Sequence, residues 1–208
     1  MKALGFALLL AGSALTPATA HAQVAKGGFE KIANGIGVVP SSGPAGWVEV
    51  TVHGDGIIHV VASPTRTTTA PSLMVPTPPI AGQYTVTQQG KRVLVATARD
   101  TAEVDLKTGR VRFLDKAGKV VLDQAASPTF FPTSADGKPF VVASQQFNRG
   151  TDEGLYGLGQ HQNAQMDYNG EDVELAQHNM DIAVPFVVST RNYGLLWDND
   201  GITRFGNP

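Results

Sequence analysis

Residues 84–122 read YTVTQQGKRVLVATARDTAEVDLKTGRVRFLDKAGKVVL, and this stretch decides the fold class. Apolar residues recur at every second position, and glycine-containing turns interrupt the pattern about every ten residues. The pattern predicts strands over 84–87, 93–97, 102–106, 111–114 and 120–122. Short, evenly spaced strands joined by tight turns are typical of an antiparallel sandwich or barrel in which each strand buries one face.

The same pattern continues on both sides of this stretch. Upstream, valine occupies every second position of WVEVTV at 47–52, and HGDG at 53–56 leads into an apolar run at 57–61. Glycine in that turn can adopt a positive φ, so a β-hairpin is predicted. Downstream, 184–189 and 194–197 form a second predicted hairpin. No segment has the apolar period of an amphipathic helix, and the predicted fold is an all-β antiparallel sandwich.

Two segments lack strand periodicity. Residues 23–46 are rich in Gly, Pro and Ser, and we expect a lead-in or a weakly paired edge segment there. Residues 63–83 contain five prolines, whose fixed φ and missing N–H groups prevent a regular central strand, so a long surface loop is predicted. The main predicted domain therefore spans residues 47–208.

Residues 1–22 have the order of a secretory signal peptide. Lys2 precedes an apolar run at 3–11, and the small residues of 20–22 (AHA) predict cleavage before Gln23. The apolar run is shorter than the roughly 20 residues that span a bilayer, and no second such run follows. We expect a soluble, periplasmic or secreted mature chain with no membrane contact, held by its core because cysteine is absent.

Charge and composition narrow the classes of partner. The formal charge is −2, with no clustered basic run, so the chain lacks the electrostatic footprint of a protein that binds nucleic acid or anionic lipid. Residues 153–199 concentrate glycine, aromatic, amide and carboxylate residues. Amides and carboxylates bond hydroxyls, and aromatic faces cover the C–H side of a sugar ring. This composition favours a neutral carbohydrate partner, although the same residues also make ordinary turns.

The order of residues within 153–199 is more informative than their composition. It runs YGLGQ at 156–160, NMD at 179–181, PF at 185–186, NYG at 192–194 and WDN at 197–199. This order resembles the stretch that precedes the catalytic barrel in glycoside hydrolases of family 31. The longer forms GLGQHQ at 157–162 and LLWDN at 195–199 are more similar to the α-xylosidase branch. VDLKTGR at 104–110 is similar to the N-terminal domain of the same family.

The resemblance implies a sandwich of the galactose-mutarotase-like type, packed on a (β/α)8 barrel that carries an Asp nucleophile and an Asp acid/base. Neither barrel motif occurs in this chain, and a barrel of about 250 residues does not fit in it. Retaining hydrolysis needs two carboxyl groups roughly 5 Å apart. We therefore expect an N-terminal portion that ends before the barrel, has no catalytic residue and is inactive alone. Its expected partners are the barrel and an α-xylosyl oligosaccharide.

Asp181 is the candidate substrate-binding residue. Its Asn-x-Asp context resembles the loop that the family's N-terminal domain extends toward the sugar subsites, which implies a carboxylate that accepts hydrogen bonds from sugar hydroxyls. The alternative is a turn aspartate that satisfies local backbone N–H groups. Neighbouring carboxylates on a glycine-containing loop are interpreted as a solvated face rather than a catalytic pair: Asp167, Glu171, Asp172 and Glu174.

Two histidines leave a further alternative open. His161 and His178, with Glu171 or Glu174, could imitate the His and Glu pair of a sugar mutarotase. Their spacing matches no metal motif and cysteine is absent, so we expect structural or substrate-rim histidines and neither a metal nor a cofactor. DNDG at 198–201 starts like a calcium loop, but its glycine falls two residues early for the EF-hand pattern.

Three more features have a predicted structural role. YGLG at 156–159 lacks the third glycine, lysine and helix of a phosphate loop, so close backbone packing is predicted. Trp47 and Trp197 are interpreted as core or interdomain anchors, with sugar platforms as the alternative. Residues 153–199 also carry more apolar surface than a terminal hairpin buries, and we expect part of this set to face the barrel: Leu155, Tyr156, Leu158, Phe186, Tyr193, Leu195, Leu196 and Trp197.

Three hypotheses about function follow. The first is a sandwich that shapes the substrate entrance of a retaining α-glycosidase acting on α-xylosyl-decorated oligosaccharides. The second is a free-standing carbohydrate-binding or scaffold module, which glycan binding without turnover would favour. The third is a small mutarotase-like enzyme, which accelerated anomer exchange that depends on His161 or His178 would favour.

Overall fold

The computed structural model describes residues 24–66, 72–75, 80–199 and 201–206. These residues form sixteen β-strands and contain no helix, which confirms the all-β class. The predicted signal peptide at 1–22 and the predicted new N-terminus at Gln23 lie outside the described residues, as does part of the proline-rich loop. Within the described ranges, no helix is long and apolar enough to cross a membrane.

The first sheet is antiparallel and has four strands in sequence order: β1 (Gly28–Ile32), β2 (Gly35–Val39), β3 (Trp47–Val52) and β4 (Ile58–Ser63). β3 and β4 are the predicted upstream hairpin, with Trp47 opposite Ser63 and Val52 opposite Ile58. Gly54 in the turn between them has a φ of +69°. The three valines of β3 point inward and are buried, as the alternation predicts.

The second sheet is antiparallel and has five strands in sequence order: β5 (Thr85–Gln89), β6 (Arg92–Ala96), β7 (Asp100–Asp105), β8 (Val111–Asp115) and β9 (Val120–Asp123). Each strand predicted from the 84–122 stretch is present. One hydrophobic cluster joins the inner faces of the two sheets, and its fully buried members are Ile36, Val38, Val50, Val52, Val93, Val95, Ala102, Val104 and Val111. This shared core confirms the predicted sandwich.

The prediction of a lead-in or weakly paired segment was wrong for β2. β2 pairs with β1 on one side and β3 on the other, and Ile36 and Val38 are fully buried. Its two glycines hid the strand pattern, since glycine has low strand propensity. A Cβ on Gly37 would lie 1.9 Å from Cη2 of Trp47, so the indole ring requires glycine at that position.

The hairpin of β10 (Thr129–Ala135) and β11 (Lys138–Ser144) was not predicted from the sequence. These two strands pair only with each other among the described strands, through a tight turn at Asp136 and Gly137. Both turn residues have positive φ, at +49° and +74°. The strands contain Pro132 and Pro139 and lack a clear period of two. Proline is tolerated here because both strands of the hairpin are edge strands.

The last part of the chain builds a smaller unit with its own core. β12 (Leu155–Gln160), β14 (Ile182–Ser189) and β15 (Tyr193–Leu196) form a three-stranded antiparallel sheet, while β13 (Val173–Leu175) pairs with β16 (Thr203–Phe205). β14 and β15 are the predicted downstream hairpin. The buried cluster of this smaller unit is separate from that of the sandwich and consists of Leu158, Tyr168, Val173, Leu175 and Val187.

Candidate functional site

The two glycines of β12 allow close backbone packing against β14, as predicted. Gly157 and Gly159 have φ of +124° and +98°, and a Cβ on either would lie 2.5 Å from the carbonyl oxygen of Phe186 or 1.8 Å from that of Ile182. The pairing shifts register between these glycines, and Leu158, with φ of +62°, is buried there. Such a bulge bends its strand just before His161.

An open cleft of about 360 Å³ lies beside β13 and the turn that precedes β14. Its lining includes six residues relevant to the predicted chemistry: His161, Asp172, Glu174, His178, Met180 and Asp181. The fold therefore brings Asp181 together with both histidines, which are 17 residues apart in the sequence. The sequence had suggested grouping the two histidines with Glu171 or Glu174, but not with Asp181.

The carboxylate of Asp181 faces imidazole rings. Its Oδ2 lies 3.1 Å from Nε2 of His178 and 4.0 Å from Nδ1 of His161. Within the described part of the chain, no backbone N–H donates to this carboxylate, which weighs against a turn aspartate that satisfies the local backbone. Its side chain is 23% exposed, so it is open to a ligand that enters the cleft.

The two histidines differ in burial and in partners. His161 is 5% exposed, and its Nε2 donates to the carbonyl oxygen of Leu158 at 2.9 Å. Its ring meets Tyr168 edge to face, with 6.2 Å between centroids. His178 is 56% exposed and contacts Asp181 alone among the acidic side chains described. A histidine–glutamate pair, as the mutarotase alternative needs, is not formed by these rings in the described structure.

Two neighbouring carboxylates have structural partners. Asp172, just before β13, pairs with Arg204 on β16, with 2.7 Å between Oδ1 and Nε, and this hydrogen bond lowers the pKa of Asp172. Asp167 accepts from the backbone N–H groups of Leu155 and Asn169, both at 2.9 Å, which lowers its pKa. Among the described residues, no group of three His, Asp or Glu side chains is placed to hold a metal ion.

Glu153 forms a buried network that sequence reasoning missed. Its carboxylate accepts from Ser189 Oγ at 2.5 Å and Tyr193 Oη at 2.6 Å, and it lies 3.6 Å from Arg191. Burial tends to raise the pKa of Glu153. The two hydroxyl hydrogen bonds, a third hydrogen bond from the Gly150 N–H and the charge of Arg191 outweigh this effect and lower the pKa. Burial and the neighbouring carboxylate raise the pKa of Tyr193. The network ties the chain before β12 to the β14–β15 hairpin.

Trp47 is an anchor and not a sugar platform. It is 4% exposed, with its ring over Gly37. The guanidinium of Arg66 covers the ring at 4.3 Å from its centroid and also pairs with Glu30. Trp197 is half-buried, and its backbone N–H donates to the carbonyl of Pro185 at 2.8 Å.

One face of the three-stranded sheet is apolar and exposed within the part of the chain that the structure describes. We call it the outer face, and its residues are 39–54% exposed: Tyr156, Ile182, Val184, Phe186, Val188 and Leu196. Phe186 lies opposite Leu196 and Tyr156 opposite Val188, so the side chains form continuous rows. Tyr156, Phe186 and Leu196 were predicted to be in this surface, whereas Leu158 is buried in the core of the unit.

The comparison with protein families gives a match over most of the chain. The family model of the glycosyl hydrolase 31 N-terminal galactose mutarotase-like domain matches residues 48–205. Among curated proteins, an α-xylosidase from Saccharolobus solfataricus is 30% identical over 117 residues, which cover 51% of this chain and 16% of that protein.

Solved structures show the same similarity. The crystal structure of a family 31 α-xylosidase from Xanthomonas citri aligns with a TM-score of 0.79 and 44% identity, over 86% of this chain and 20% of that one. A family 31 α-xylosidase from a soil metagenome, in complex with xylose, aligns with a TM-score of 0.67 over 85% of this chain and 28% of that one. At 21% identity, this second alignment shows the fold alone. The chain thus spans less than a third of each relative.

Proposed function

Because this chain belongs to glycoside hydrolase family 31, as its N-terminal galactose mutarotase-like domain, we propose that it forms the substrate-entrance domain of a retaining α-glycosidase. The family resemblance read from the sequence motifs is thereby confirmed. The proposed ligand is a carbohydrate with α-xylosyl groups. The α-xylosidase relatives support this class, and one of them holds xylose.

The observation that carries the proposal is the position of the Asp181 carboxylate at the cleft. A carboxylate accepts hydrogen bonds from hydroxyl groups, and bonds to a charged group contribute more than neutral ones. The backbone of Asp181 is also held in place, since Nε2 of Gln177 donates to its carbonyl at 2.9 Å. In the proposed role, Asp181 binds and orients a sugar hydroxyl and takes no part in bond cleavage.

The chemical step is assigned to a barrel that packs against this domain. There, one carboxylate attacks the anomeric carbon and a second carboxylic acid protonates the leaving oxygen. The outer face supports such a neighbour, because monomers rarely leave large apolar patches uncovered. An exported mature chain that begins at Gln23 belongs to the same proposal and follows from the predicted signal peptide.

Titration of the chain with α-D-xylosyl-(1→6)-D-glucose, followed by backbone amide NMR, tests the proposal. Asp181→Asn keeps the shape but removes the charge, and we expect it to weaken binding about tenfold to a hundredfold, from roughly 1.5–3 kcal/mol for a charge-assisted bond. Asp136→Asn, in the exposed β10–β11 turn, is the matched control and should bind as the wild type does. Xylose release is measured in parallel and is expected to be absent.

Three results would contradict the proposal. Equal affinity of the wild type and Asp181→Asn for the sugar would mean that the Asp181 carboxylate does not bind it. No shift of any cleft amide would remove carbohydrate binding from this chain. Robust release of xylose by the chain alone would contradict the assignment of catalysis to a barrel.

A further inference from the structure

The two imidazoles beside Asp181 differ in their freedom to move. His161 is 5% exposed, its Nε2 is held by the Leu158 carbonyl, and its ring rests against Tyr168. Removing that ring would leave a buried carbonyl oxygen without its donor, which is costly. At 4.0 Å, its Nδ1 is beyond hydrogen-bond distance of the Asp181 carboxylate. His161 is therefore a fixed wall of the cleft.

His178 is the exposed neighbour. It is 56% exposed, and its contact with Asp181 is a single one, from Nε2 to Oδ2 at 3.1 Å. The two groups are not aligned as a hydrogen bond, so the imidazole lies against Oδ2 as a close polar contact. An exposed pair of this kind contributes little, because holding the ring in one rotamer costs side-chain entropy.

The backbone beneath this pair is held independently of the His178 ring. The side-chain amide of Gln177 donates to the carbonyl of Asp181 at 2.9 Å and accepts from the N–H of Ala183 at 3.1 Å. The N–H of Asp181 also donates to the carbonyl of His178 at 3.3 Å. The imidazole of His178 can therefore swing away while Asp181 stays in place.

We propose that the His178 ring is a displaceable cover that lies against Asp181 in the free chain and gives way to a sugar hydroxyl. The proposal rests on the proposed function, since it takes Asp181 as the acceptor for a carbohydrate. The imidazole ring and a sugar hydroxyl both require the space in front of Oδ2. His178 thus sets the affinity of the cleft by competition.

Loss of the competitor should tighten binding. Methyl α-D-xyloside is titrated into the chain and its His178→Ala, His178→Gln and Asp181→Asn variants, and dissociation constants are read from amide shifts. We expect His178→Ala to bind about 1.5- to 5-fold more tightly, which is the range of an exposed pair. His178→Gln restores a polar side chain that can cover the carboxylate and should return the affinity toward that of the wild type.

Two further readouts separate competition from a general structural effect. His59→Ala, on β4 and away from the cleft, should bind as the wild type does. In ¹⁵N-imidazole spectra, saturating xyloside should shift the Nε2 signal of His178 and leave the Nε2–H tautomer of His161 unchanged.

The outcomes distinguish the two proposals. If Asp181→Asn binds more weakly but His178→Ala binds equally or more weakly, His178 is not a competitor and the proposed function stands. If Asp181→Asn binds as the wild type does, or if the wild type does not bind, the proposed function fails and the competition fails with it.

Discussion

At the scale of single residues, two carboxylates from one segment have opposite roles. Glu153 is 4% exposed and accepts from two hydroxyl groups and a backbone N–H, so its bonding capacity is used within the protein. The Asp181 carboxylate faces the cleft, and the exposed His178 ring lies against it. A carboxylate covered by a displaceable ring is available to a ligand, whereas one with fixed donors stabilises the fold.

Glu153→Gln is expected to destabilise the chain in a pH-dependent way. The pKa of Glu153 is lower in the folded state than in the unfolded state. Its ionised form therefore stabilises the fold at pH values above the ordinary pKa of glutamate, and this stability is lost as the pH falls through the lowered pKa. At pH 7 the variant should lose about 1–3 kcal/mol of unfolding free energy. The difference from wild type should shrink below about pH 4.3.

Urea unfolding of both proteins at a series of pH values between 7 and 3 measures this difference. Glu171→Gln is the control, because Glu171 is exposed and should show little change at any pH. A difference between Glu153→Gln and wild type that does not vary with pH would mean that the charge of Glu153 contributes nothing.

At the scale of elements, the packing of β2 on β3 depends on one glycine and one tryptophan. The inner face of β2 enters the sandwich core through Ile36 and Val38, while its outer face at Gly37 lies under the Trp47 ring. Arg66 then covers that ring from the other side. The first sheet is therefore packed on both faces at this point, although its outer side carries no second sheet in the described chain.

Gly37→Ala is expected to force the Trp47 ring out of place, because the new Cβ would overlap Cη2 at 1.9 Å. Overpacking of this kind typically costs about 1–3 kcal/mol. Urea unfolding measures the loss, and combination with Trp47→Leu should recover part of it, since the two positions are coupled. Gly201→Ala, whose Cβ would make only ordinary van der Waals contacts with Asn199 at 3.6 Å and beyond, is the control. Equal stability of the two glycine variants would contradict the packing argument.

At the scale of the whole molecule, the described residues form one well-packed sandwich and one smaller unit whose outer face is exposed to solvent. Leu158 and Val187 lie on the inner side of the three-stranded sheet and belong to the buried cluster of the unit. The outer face presents alternate residues of the same strands to solvent. This arrangement fits a domain whose outer face is covered by a neighbour in a longer protein.

The purified chain is expected to bind a hydrophobic fluorescent dye at the outer face. Val184→Thr combined with Val188→Thr keeps β-branched side chains but makes the face more polar, so dye fluorescence should fall. Val120→Thr, at an exposed position on β9, is the matched control and should bind dye as the wild type does. A longer chain that carries the barrel should bind less dye. A stable monomer that binds no dye would favour a free-standing module.

The sequence by itself determined the fold class, the strands of the second sheet, both predicted hairpins and the family motifs. These features depend on side-chain alternation and turn chemistry, which act between near neighbours in the chain. β2 and the β10–β11 hairpin escaped prediction because glycine and proline weakened the same local signal. Asp181 could be named from its motif.

Only the tertiary structure decided what surrounds the named residues. It brings His161 and His178 beside the Asp181 carboxylate, buries Glu153 against Ser189 and Tyr193, and packs the Trp47 ring over Gly37. Most of these contacts join segments that lie far apart in the sequence, and the burial of a charged or aromatic side chain depends on how whole strands pack. No local pattern records that packing, so the cleft and the imidazole that lies against Asp181 emerge only when the strands are assembled.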